Sequence, residues 1–516
     1  MKKFKLLLAA FVATLFAFVG GNAFADEYTI TINNVSKDHT YEAYQIFGGD
    51  LYKGDGATTP TLSNIYWGEG VNAFTYDGES DAAKIAEKLS GQKEDSDDAK
   101  AFAKAANANL KEGSKPASAT SEGKTVTITL SKPGYYLVKD KDGSQDSKNG
   151  AYTRFMMQVT GAESVEVKND VPTVEKKVKE TNDSTGGTTG WQDAADYDMG
   201  DTVPFQLTAE LPKKRVDDYD HYYVEFTDTL SAGLAFKEIT KVTADGTTLN
   251  EDQYKKTVTE NSDGTTTLSI VITDVKAVAH ITKDENKVVV EYNAVLGGEK
   301  REDGTFDKAD KVVFGSAGNP NSVELTYSNN PNATGDGTSK PADTGKTPKD
   351  TVKVFSYQTI INKLNENKEA LKGAGFTLSK KDKDGNWNTV KALAAGEATT
   401  FEFKGLDAGN YKLEESTTPD GYNTIKPIEF TINATYDTDS ADPQLTKLSG
   451  DVTSGVAKFD ANEADGSLKA DIVNRKGSLL PSTGGMGTTI LYVIGSILVL
   501  VAAVLLITKK RMDAAK

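Results

Sequence analysis

The stretch Tyr411-Lys412-Leu413-Glu414-Glu415-Ser416-Thr417-Thr418-Pro419-Asp420-Gly421-Tyr422 carries the pattern from which the fold can be read. Successive side chains of an extended strand point to opposite faces, so Tyr411, Leu413 and Glu415 share one face. Two of these three side chains are apolar, which makes this the core face of a sheet. An ionised carboxylate in a core is costly unless it is paired or protonated. The stretch therefore predicts a β-sheet whose core contains a carboxyl group.

The same alternation recurs along the chain between turn residues, which predicts an all-β fold. Clear examples are residues 28–32, 125–130, 203–209, 287–292 and 352–361. A helical insertion is predicted at 81–110, where apolar residues recur at helical spacing. We expect tandem Ig-like β-sandwich domains that follow one another as a rod.

The N-terminus is typical of a secretory signal peptide. It begins with Met1-Lys2-Lys3, continues with an apolar stretch over 4–19 and reaches Ala23-Phe24-Ala25, with cleavage expected after Ala25. Turn-rich stretches divide the remainder. The predicted divisions are a signal peptide at 1–25, a first domain at 26–170, a middle domain at 171–332, a linker at 333–350, a third domain at 351–475 and a C-terminal segment at 476–516.

The C-terminal segment combines Leu480-Pro481-Ser482-Thr483-Gly484, an uncharged run over 489–507 and the basic cluster Lys509-Lys510-Arg511. A helix rises about 1.5 Å per residue, so this run is long enough to cross a bilayer. The basic cluster would stay on the cytoplasmic side. A plain single-pass anchor with a chance pentapeptide is the alternative, but the order of motif, span and tail favours a sorting signal.

The composition argues against several classes of function. A net charge of −16 gives no basic face for nucleic acid. The chain has no cysteine, so no disulfide can stabilise its domains. Its three histidines lack metal-ligand spacing, and no phosphate loop or Ser-His-Asp order indicates an enzyme. We therefore expect no metal, no cofactor and no nucleic-acid partner.

Two further inward-facing side chains can accompany Glu415. Near the two ends of the third domain, Lys363 and Asn474 each share a strand face with an isoleucine. Burial lowers the pKa of a lysine and raises that of a carboxylic acid. A neutral amine is a nucleophile, and a protonated acid can polarise an amide carbonyl and move protons. The alternative is a buried ion pair beside an ordinary asparagine.

A similar lysine and asparagine occur in the middle domain. Lys176 alternates with two valines on one strand face, and Asn321 alternates with Val, Leu and Tyr on another. Lys177 and Asn329 are the alternatives. The opening strand of the first domain, at 29–33, has no lysine, so no such centre is expected there.

Four stretches resemble parts of Gram-positive pilins. Residues 411–422 resemble the E-box Y-x-L-x-E-T-x-A-P-x-G-Y, with Ser416 in place of Thr and Thr418 in place of Ala. Residues 226–234 resemble the D-T-L-x-x-G-L segment of fimbrial isopeptide-forming middle domains. The motif at 480–484 resembles the LPxTG sorting signal, and residues 165–169 resemble the pilin motif V-x-V-Y-P-K-N without Tyr-Pro. On this resemblance the chain is identified as a member of the sortase-assembled major pilins, with a third domain of the CnaB or SpaA type.

The resemblance implies an intramolecular Lys–Asn isopeptide bond in the middle domain and another in the third, each promoted by one acid. The implied participants are Lys176, Asp228 and Asn321 in the middle domain and Lys363, Glu415 and Asn474 in the third. No other enzymatic activity is expected. In this family a sortase cuts between the residues that match Thr483 and Gly484 and joins the new carboxyl to an amine. Lys168 is the predicted acceptor, although it could be an ordinary solvated lysine.

The implied function is that of a structural backbone subunit of a pilus that supports adhesion. The alternative is a wall-anchored adhesin or minor pilin displayed by a housekeeping sortase. The implied partners are sortase, other copies of the chain, minor pilins, peptidoglycan and a host receptor. The implied location is the cell wall, after secretion and transient retention in the membrane.

Overall fold

The computed structural model describes residues 27–53, 60–93, 96–144, 150–167, 170–212, 216–279, 286–477 and 487–513. Strands dominate these residues and pair into several sheets, so the all-β fold class is confirmed. The signal peptide predicted at 1–25, the motif at 480–484 and Lys168 lie outside the described residues.

The first domain packs two sheets around a core and carries a helical insertion. Its strands are β1 (Tyr28–Asn33), β2 (Thr40–Tyr52), β3 (Thr61–Trp67), β4 (Ala117–Thr120), β5 (Thr125–Leu130), β6 (Gly134–Asp140), β7 (Arg154–Val159) and β8 (Ala162–Glu166). One sheet has the order β5-β1-β8, and the other has the order β3-β2-β6-β7 with β4 beside β2. The insertion predicted at 81–110 contains α1 (Ala82–Leu89) and α2 (Asp97–Ala108), whose N-termini are capped by the side chains of Asp81 and Ser96.

The middle domain is a second sandwich, and its two inner faces meet in one apolar core. Its strands are β9 (Thr173–Val178), β10 (Ala194–Asp196), β11 (Thr202–Glu210), β12 (Val224–Leu230), β13 (Leu234–Ala244), β14 (Thr247–Thr248), β15 (Lys255–Glu260), β16 (Thr266–Ile272), β17 (Lys287–Leu296), β18 (Asn319–Ser328), β19 (Thr344–Lys346) and β20 (Asp350–Phe355). One sheet has the order β14-β13-β17-β11-β9. The other has the order β10-β20-β18-β12-β16-β15, with β19 beside β18. A short helix, α3 (Val275–Val278), follows β16, and 3-10 turns lie at Ala309–Lys311 and Gly315–Ala317.

The third domain repeats the sandwich architecture. Its strands are β21 (Tyr357–Leu364), β22 (Gly375–Lys381), β23 (Trp387–Leu393), β24 (Thr400–Leu406), β25 (Gly409–Thr417), β26 (Ile428–Tyr436), β27 (Leu445–Ser454), β28 (Asp460–Asn462) and β29 (Ser467–Val473). The sheets have the orders β24-β21-β29-β28 and β23-β22-β25-β26-β27. Strands β21 and β29 are parallel neighbours, so the beginning and the end of the domain lie side by side.

The junction between the middle and third domains differs from the sequence expectation. The single strand expected at 352–361 is divided into β20, which pairs with β18 of the middle domain, and β21, which belongs to the third. Val352 and Val354 are buried before the break, and Tyr357 and Thr359 after it, so the alternation changes phase. Sheet membership therefore changes at Ser356 rather than at the predicted linker, and the linker itself contains β19.

A long apolar helix closes the described chain. Helix α4 (Gly487–Asp513) includes the run predicted to span a bilayer at 489–507. Its segment Ile490–Met512 is long and apolar enough to cross a membrane. The apolar side chains of this segment are exposed, so lipid can cover them.

Candidate functional site

The middle-domain centre lies between the two sheets of the sandwich. Lys176 projects from β9 of one sheet, and Asp228 and Asn321 project from β12 and β18 of the other. Asp228 is opposite Val323 in the register of these two strands, so Asp228 and Asn321 are diagonal neighbours on one face. Each residue has zero exposure, because each occupies an inward position of an alternating strand.

A tyrosine of β17 connects these three side chains. Lys176 Nζ donates a hydrogen bond to Asp228 Oδ1 over 2.5 Å and another to Tyr292 Oη over 3.0 Å. Asn321 Nδ2 donates to Tyr292 Oη over 2.7 Å, and Tyr292 Oη donates to Asp228 Oδ2. Asn321 Oδ1 is buried and has no hydrogen-bond donor among the described residues. The amine, the acid and the amide therefore belong to one hydrogen-bonded cluster in which the amide carbonyl is left without a donor.

Burial changes the proton affinities of the lysine and the acid in opposite directions. It lowers the pKa of Lys176 to about 8, although the charge of Asp228 opposes this shift. It raises the pKa of Asp228, against the opposing effect of Lys176. The Phe205 and Tyr292 rings lie 5.1 and 5.2 Å from Lys176 Nζ and form part of its apolar surroundings. Both shifts make transfer of a proton from Lys176 to Asp228, which creates a neutral amine, less unfavourable than it would be in water.

Tyr292 is absent from the residues predicted from the sequence. Strand β17 alternates strictly, and Val288, Val290 and Tyr292 are buried on the same face. The sequence does contain a signal for this residue, since Tyr292 occupies an inward position of the strand predicted at 287–292. Its hydroxyl partners come from β9, β12 and β18, so their contact with the phenol depends on how distant strands pack.

The third-domain centre lies where the first and last strands of the domain meet. Lys363 lies on β21, Asn474 directly follows β29, and Glu415 projects from β25 in the opposite sheet. Lys363 Nζ donates a hydrogen bond to Asn474 Oδ1 and lies 3.4 Å from Glu415 Oε1. Asn474 Nδ2 donates to Glu415 Oε1 and Oε2 over 2.9 and 3.1 Å. The amine, the amide and the acid are therefore in direct mutual contact.

The surroundings of Glu415 supply additional hydrogen-bond donors. Glu415 Oε2 accepts a hydrogen bond from the backbone N–H of Ile425 over 3.0 Å and one from the Thr418 hydroxyl over 3.4 Å. Thr418 is one of the two departures from the E-box pattern, and its hydroxyl contacts the acid. Burial lowers the pKa of Lys363, with Glu415 opposing the shift. Burial therefore weakens the hold of this amine on its proton, as it does for Lys176.

The alternatives in the middle domain lie in other environments. Lys177 Nζ pairs with Asp193 over 2.6 Å and with Glu175 over 3.2 Å on the outward face of β9. Asn329 follows β18, and its Nδ2 donates to the carbonyl oxygen of Gly150 in the first domain over 3.2 Å. Neither contact involves Asp228, so the geometry favours Lys176 and Asn321 over these two alternatives.

A further buried lysine lies at the junction of the middle and third domains. Lys380 Nζ lies 2.6 Å from both Asp198 and Asp407 and 3.1 Å from Asp183. Burial acts to lower the pKa of Lys380, but Asp407 and Asp198 together raise it above its ordinary value. The oxygens of these three carboxylates and of Asp201 are close enough to hold a cation, and the charged Lys380 already supplies one. Lys380 is thus an ion-pair partner rather than a nucleophile.

Comparison with known proteins agrees with the fold. A family model for SpaA, a prealbumin-like fold domain, matches residues 358–444. The trypsin-resistant surface T6 protein of Streptococcus pyogenes serotype M6 is 25% identical over 407 residues, covering 67% of this chain and 70% of that protein. The T6 backbone pilin structure matches with a TM-score of 0.55 and 19% identity, covering 89% of this chain and all of that one. The chain is therefore similar in sequence to the T6 protein and in fold to the T6 backbone pilin.

The chain shares its tandem-domain fold with the T6 backbone pilin, which has a modular three-domain structure. The full-length major pilin SpaD of Corynebacterium diphtheriae also matches, at 16% identity and a TM-score of 0.46, over 89% of this chain and 99% of SpaD. The C-terminal helix of this chain contains the segment Ile490–Met512, which could cross a membrane by its length and composition.

Proposed function

We propose that the chain is the backbone subunit of a covalently polymerised pilus and that isopeptide bonds stabilise its middle and third domains. The observation that carries this proposal is the occurrence, in two consecutive sandwiches, of a buried lysine clustered with a buried acid and a buried asparagine. The bonds would be Lys176–Asn321 and Lys363–Asn474. Asp228 and Glu415 would be the respective catalytic acids.

The same reaction applies to both centres. The acid takes a proton from the lysine ammonium, and the neutral Nζ attacks Cγ of the asparagine. The Cγ–Nδ2 bond then breaks, a Cγ–Nζ amide forms and one ammonia leaves, carrying a proton that Nζ gives up. No oxidant or further reactant is required, so folding alone would suffice to start the reaction.

The mechanical consequence fits a fibre that is pulled along its length. Lys363 and Asn474 are 111 residues apart in the chain, and the bond would close nearly the whole third domain into a loop. A cross-link that closes a loop of this size restricts the unfolded ensemble by roughly 4–5 kcal/mol, by analogy with a disulfide. Force applied at the domain ends would then pass through the covalent bond instead of unravelling the sheets.

The intact mass of the recombinant ectodomain tests the two bonds. We expect a deficit of two ammonia equivalents, ~34 Da, relative to the mass calculated from the sequence. In Lys176→Ala the deficit should shrink by one ammonia, after correction for the mass of the substitution itself. In the control Lys177→Ala the deficit should stay at two ammonia equivalents. A wild-type ectodomain whose mass equals the mass calculated from its sequence would contradict both proposed bonds.

Polymerisation is proposed to use the segments outside the described residues. A pilin-specific sortase would cleave after Thr483 and join its carboxyl to Lys168 of the next subunit, and minor pilins and peptidoglycan would be joined in the same way. The fibre would support adhesion to a host receptor. In cells, Lys168→Ala should abolish the ladder of high-mass species that survives boiling in detergent.

An exposed lysine elsewhere provides the control for this experiment. Lys458 has a side chain that is 86% exposed, so Lys458→Ala should leave the ladder intact. Loss of the ladder in both variants would point to a general folding defect. An intact ladder in Lys168→Ala would overturn the role of Lys168. A wild-type chain attached to the wall only as a monomer would instead favour the wall-anchored adhesin.

A further inference from the structure

We propose that Tyr292 is a catalytic residue of the middle-domain cross-link, in which its phenol passes a proton from Asp228 to the leaving nitrogen of Asn321. This inference rests on the proposed Lys176–Asn321 bond. Its basis is that Tyr292 Oη is hydrogen-bonded to all three reacting groups: the lysine amine at 3.0 Å, the amide nitrogen at 2.7 Å and the carboxylate.

The two centres differ in how the acid reaches the asparagine. In the third domain, both oxygens of Glu415 accept hydrogen bonds from Asn474 Nδ2 directly. In the middle domain the acid is an aspartate, which is one methylene shorter. The hydrogen-bonded path from Asp228 to Asn321 runs through Tyr292 Oη. Tyr292 and Asp228 together therefore make the connection to the asparagine that Glu415 makes alone in the third domain.

The environment keeps the phenol in the form that this relay needs. Burial raises the pKa of Tyr292 well above its ordinary value, and the nearby Asp228 adds to the shift. The hydroxyl therefore retains its proton at neutral pH and can give it up only as it receives another. The ring stacks on Phe205 with centroids 5.3 Å apart, and the residue is fully buried. This packing fixes the position of the phenol oxygen, and the hydrogen bond to Asp228 orients its O–H group.

The proton movements balance in the following order. Asp228 takes one proton from the Lys176 ammonium, and the neutral Nζ attacks Cγ of Asn321. Tyr292 then gives its hydroxyl proton to Nδ2 and receives the Asp228 proton in exchange, while Asp228 takes a second proton from Nζ. The Cγ–Nδ2 bond breaks and ammonia leaves. The new amide keeps one hydrogen, Tyr292 is regenerated and Asp228 ends protonated.

The test is Tyr292→Phe in the complete ectodomain, produced by cell-free synthesis and followed by intact mass and peptide mapping over hours. Removal of a general acid–base group slows a reaction by roughly 100-fold or more, so the Lys176–Asn321 peptide should form at least that much more slowly. The Lys363–Asn474 peptide in the same molecules should form at the wild-type rate, which reports that the third domain has folded, and hydrogen exchange of the middle-domain strands should match the wild type.

A matched variant removes a different buried phenol hydroxyl from the same core. Tyr327 is 1% exposed and belongs to the middle-domain core, so Tyr327→Phe should leave the rate of the Lys176–Asn321 bond unchanged. Incorporation of 3,5-difluorotyrosine at position 292 keeps the ring in place but changes the acidity of its hydroxyl, and should change that rate several-fold.

The outcomes separate this inference from the proposed function. Formation of the middle-domain bond at the wild-type rate in Tyr292→Phe would overturn the catalytic role of the tyrosine while leaving the bond itself intact. If the protein with 3,5-difluorotyrosine at position 292 formed the Lys176–Asn321 bond at the wild-type rate, Tyr292 would contribute through packing alone and not through its proton. Absence of the Lys176–Asn321 peptide from the wild-type chain would overturn the proposed bond and this inference with it.

Discussion

The buried lysines Lys176, Lys363 and Lys380 differ in the number of carboxylates around them, and this number sets the direction of their pKa shifts. Lys176 and Lys363 each contact one acid, so burial outweighs the attraction and the pKa of each amine falls. Lys380 contacts three carboxylates, and its pKa rises. At this scale burial alone does not make a nucleophile; a single neighbouring acid that can take the proton is also needed.

Substitution of the acid in the third domain gives a prediction at the residue scale. Glu415→Ala should leave Lys363 without its proton acceptor, so the product should be one ammonia, ~17 Da, heavier than the wild type once the substitution is allowed for. Loss of the closed loop should lower the free energy of unfolding of this domain by roughly 4–5 kcal/mol. Intact mass and thermal unfolding measure the two effects.

The neighbouring residue is a suitable control for this substitution. Glu414 lies on the outward face of the same strand and pairs with Lys412 at 2.9 Å, so Glu414→Ala should keep both the mass deficit and the stability. If the Glu415→Ala protein showed the same mass deficit as the wild type, formation of the Lys363–Asn474 bond would not depend on this acid.

At the scale of secondary-structure elements, the two centres would connect different parts of a sandwich. Lys363 lies on β21 and Asn474 directly follows the parallel strand β29, so their bond would join the first and last strands of the domain within one sheet. Lys176 on β9 and Asn321 on β18 belong to opposite sheets, so their bond would cross the core. Ser356 lies between β20 and β21, and its hydroxyl is 3.0 Å from the carbonyl oxygen of Tyr197 in the middle domain and 3.2 Å from that of Leu406 in the third.

At the scale of the whole molecule, acidic residues of the middle domain hold the third domain. Asp198 accepts hydrogen bonds from the Lys380 ammonium and from the backbone N–H of Asp407, and Asp196 accepts one from the backbone N–H of Ala408 over 2.9 Å. Asp201 lies beside the same cluster. Its burial, together with the neighbouring Asp198 and Asp183, raises its pKa to about 7, although Lys380 opposes the shift.

This junction gives a prediction for pH dependence. Asp201 binds a proton more tightly in the folded chain than in the unfolded chain, where an aspartate has a pKa of about 3.9. Its contribution to stability is therefore complete below about pH 4 and is lost as the pH rises towards 7. Asp201→Asn should raise the unfolding temperature at pH 8 and flatten its dependence between pH 5 and 8, measured by calorimetry.

A surface aspartate supplies the comparison for this experiment. Asp252 is exposed in the loop between β14 and β15, so Asp252→Asn should leave the pH dependence as in the wild type. An Asp201→Asn protein with the wild-type slope between pH 5 and 8 would contradict the raised pKa at this junction.

The sequence by itself determined the local features of this protein. The period of two predicted the all-β class and the inward positions of Lys363, Glu415 and Asn474, because alternation depends only on the geometry of an extended chain. It left Lys177 as an alternative to Lys176. The apolar run at the C-terminus likewise fixed α4. Only the tertiary structure decided which strands are neighbours, and this brought Tyr292 to Asp228, Lys380 to the acidic junction and β20 to the middle domain. These contacts join residues far apart in the chain, and no periodic pattern within one strand specifies them.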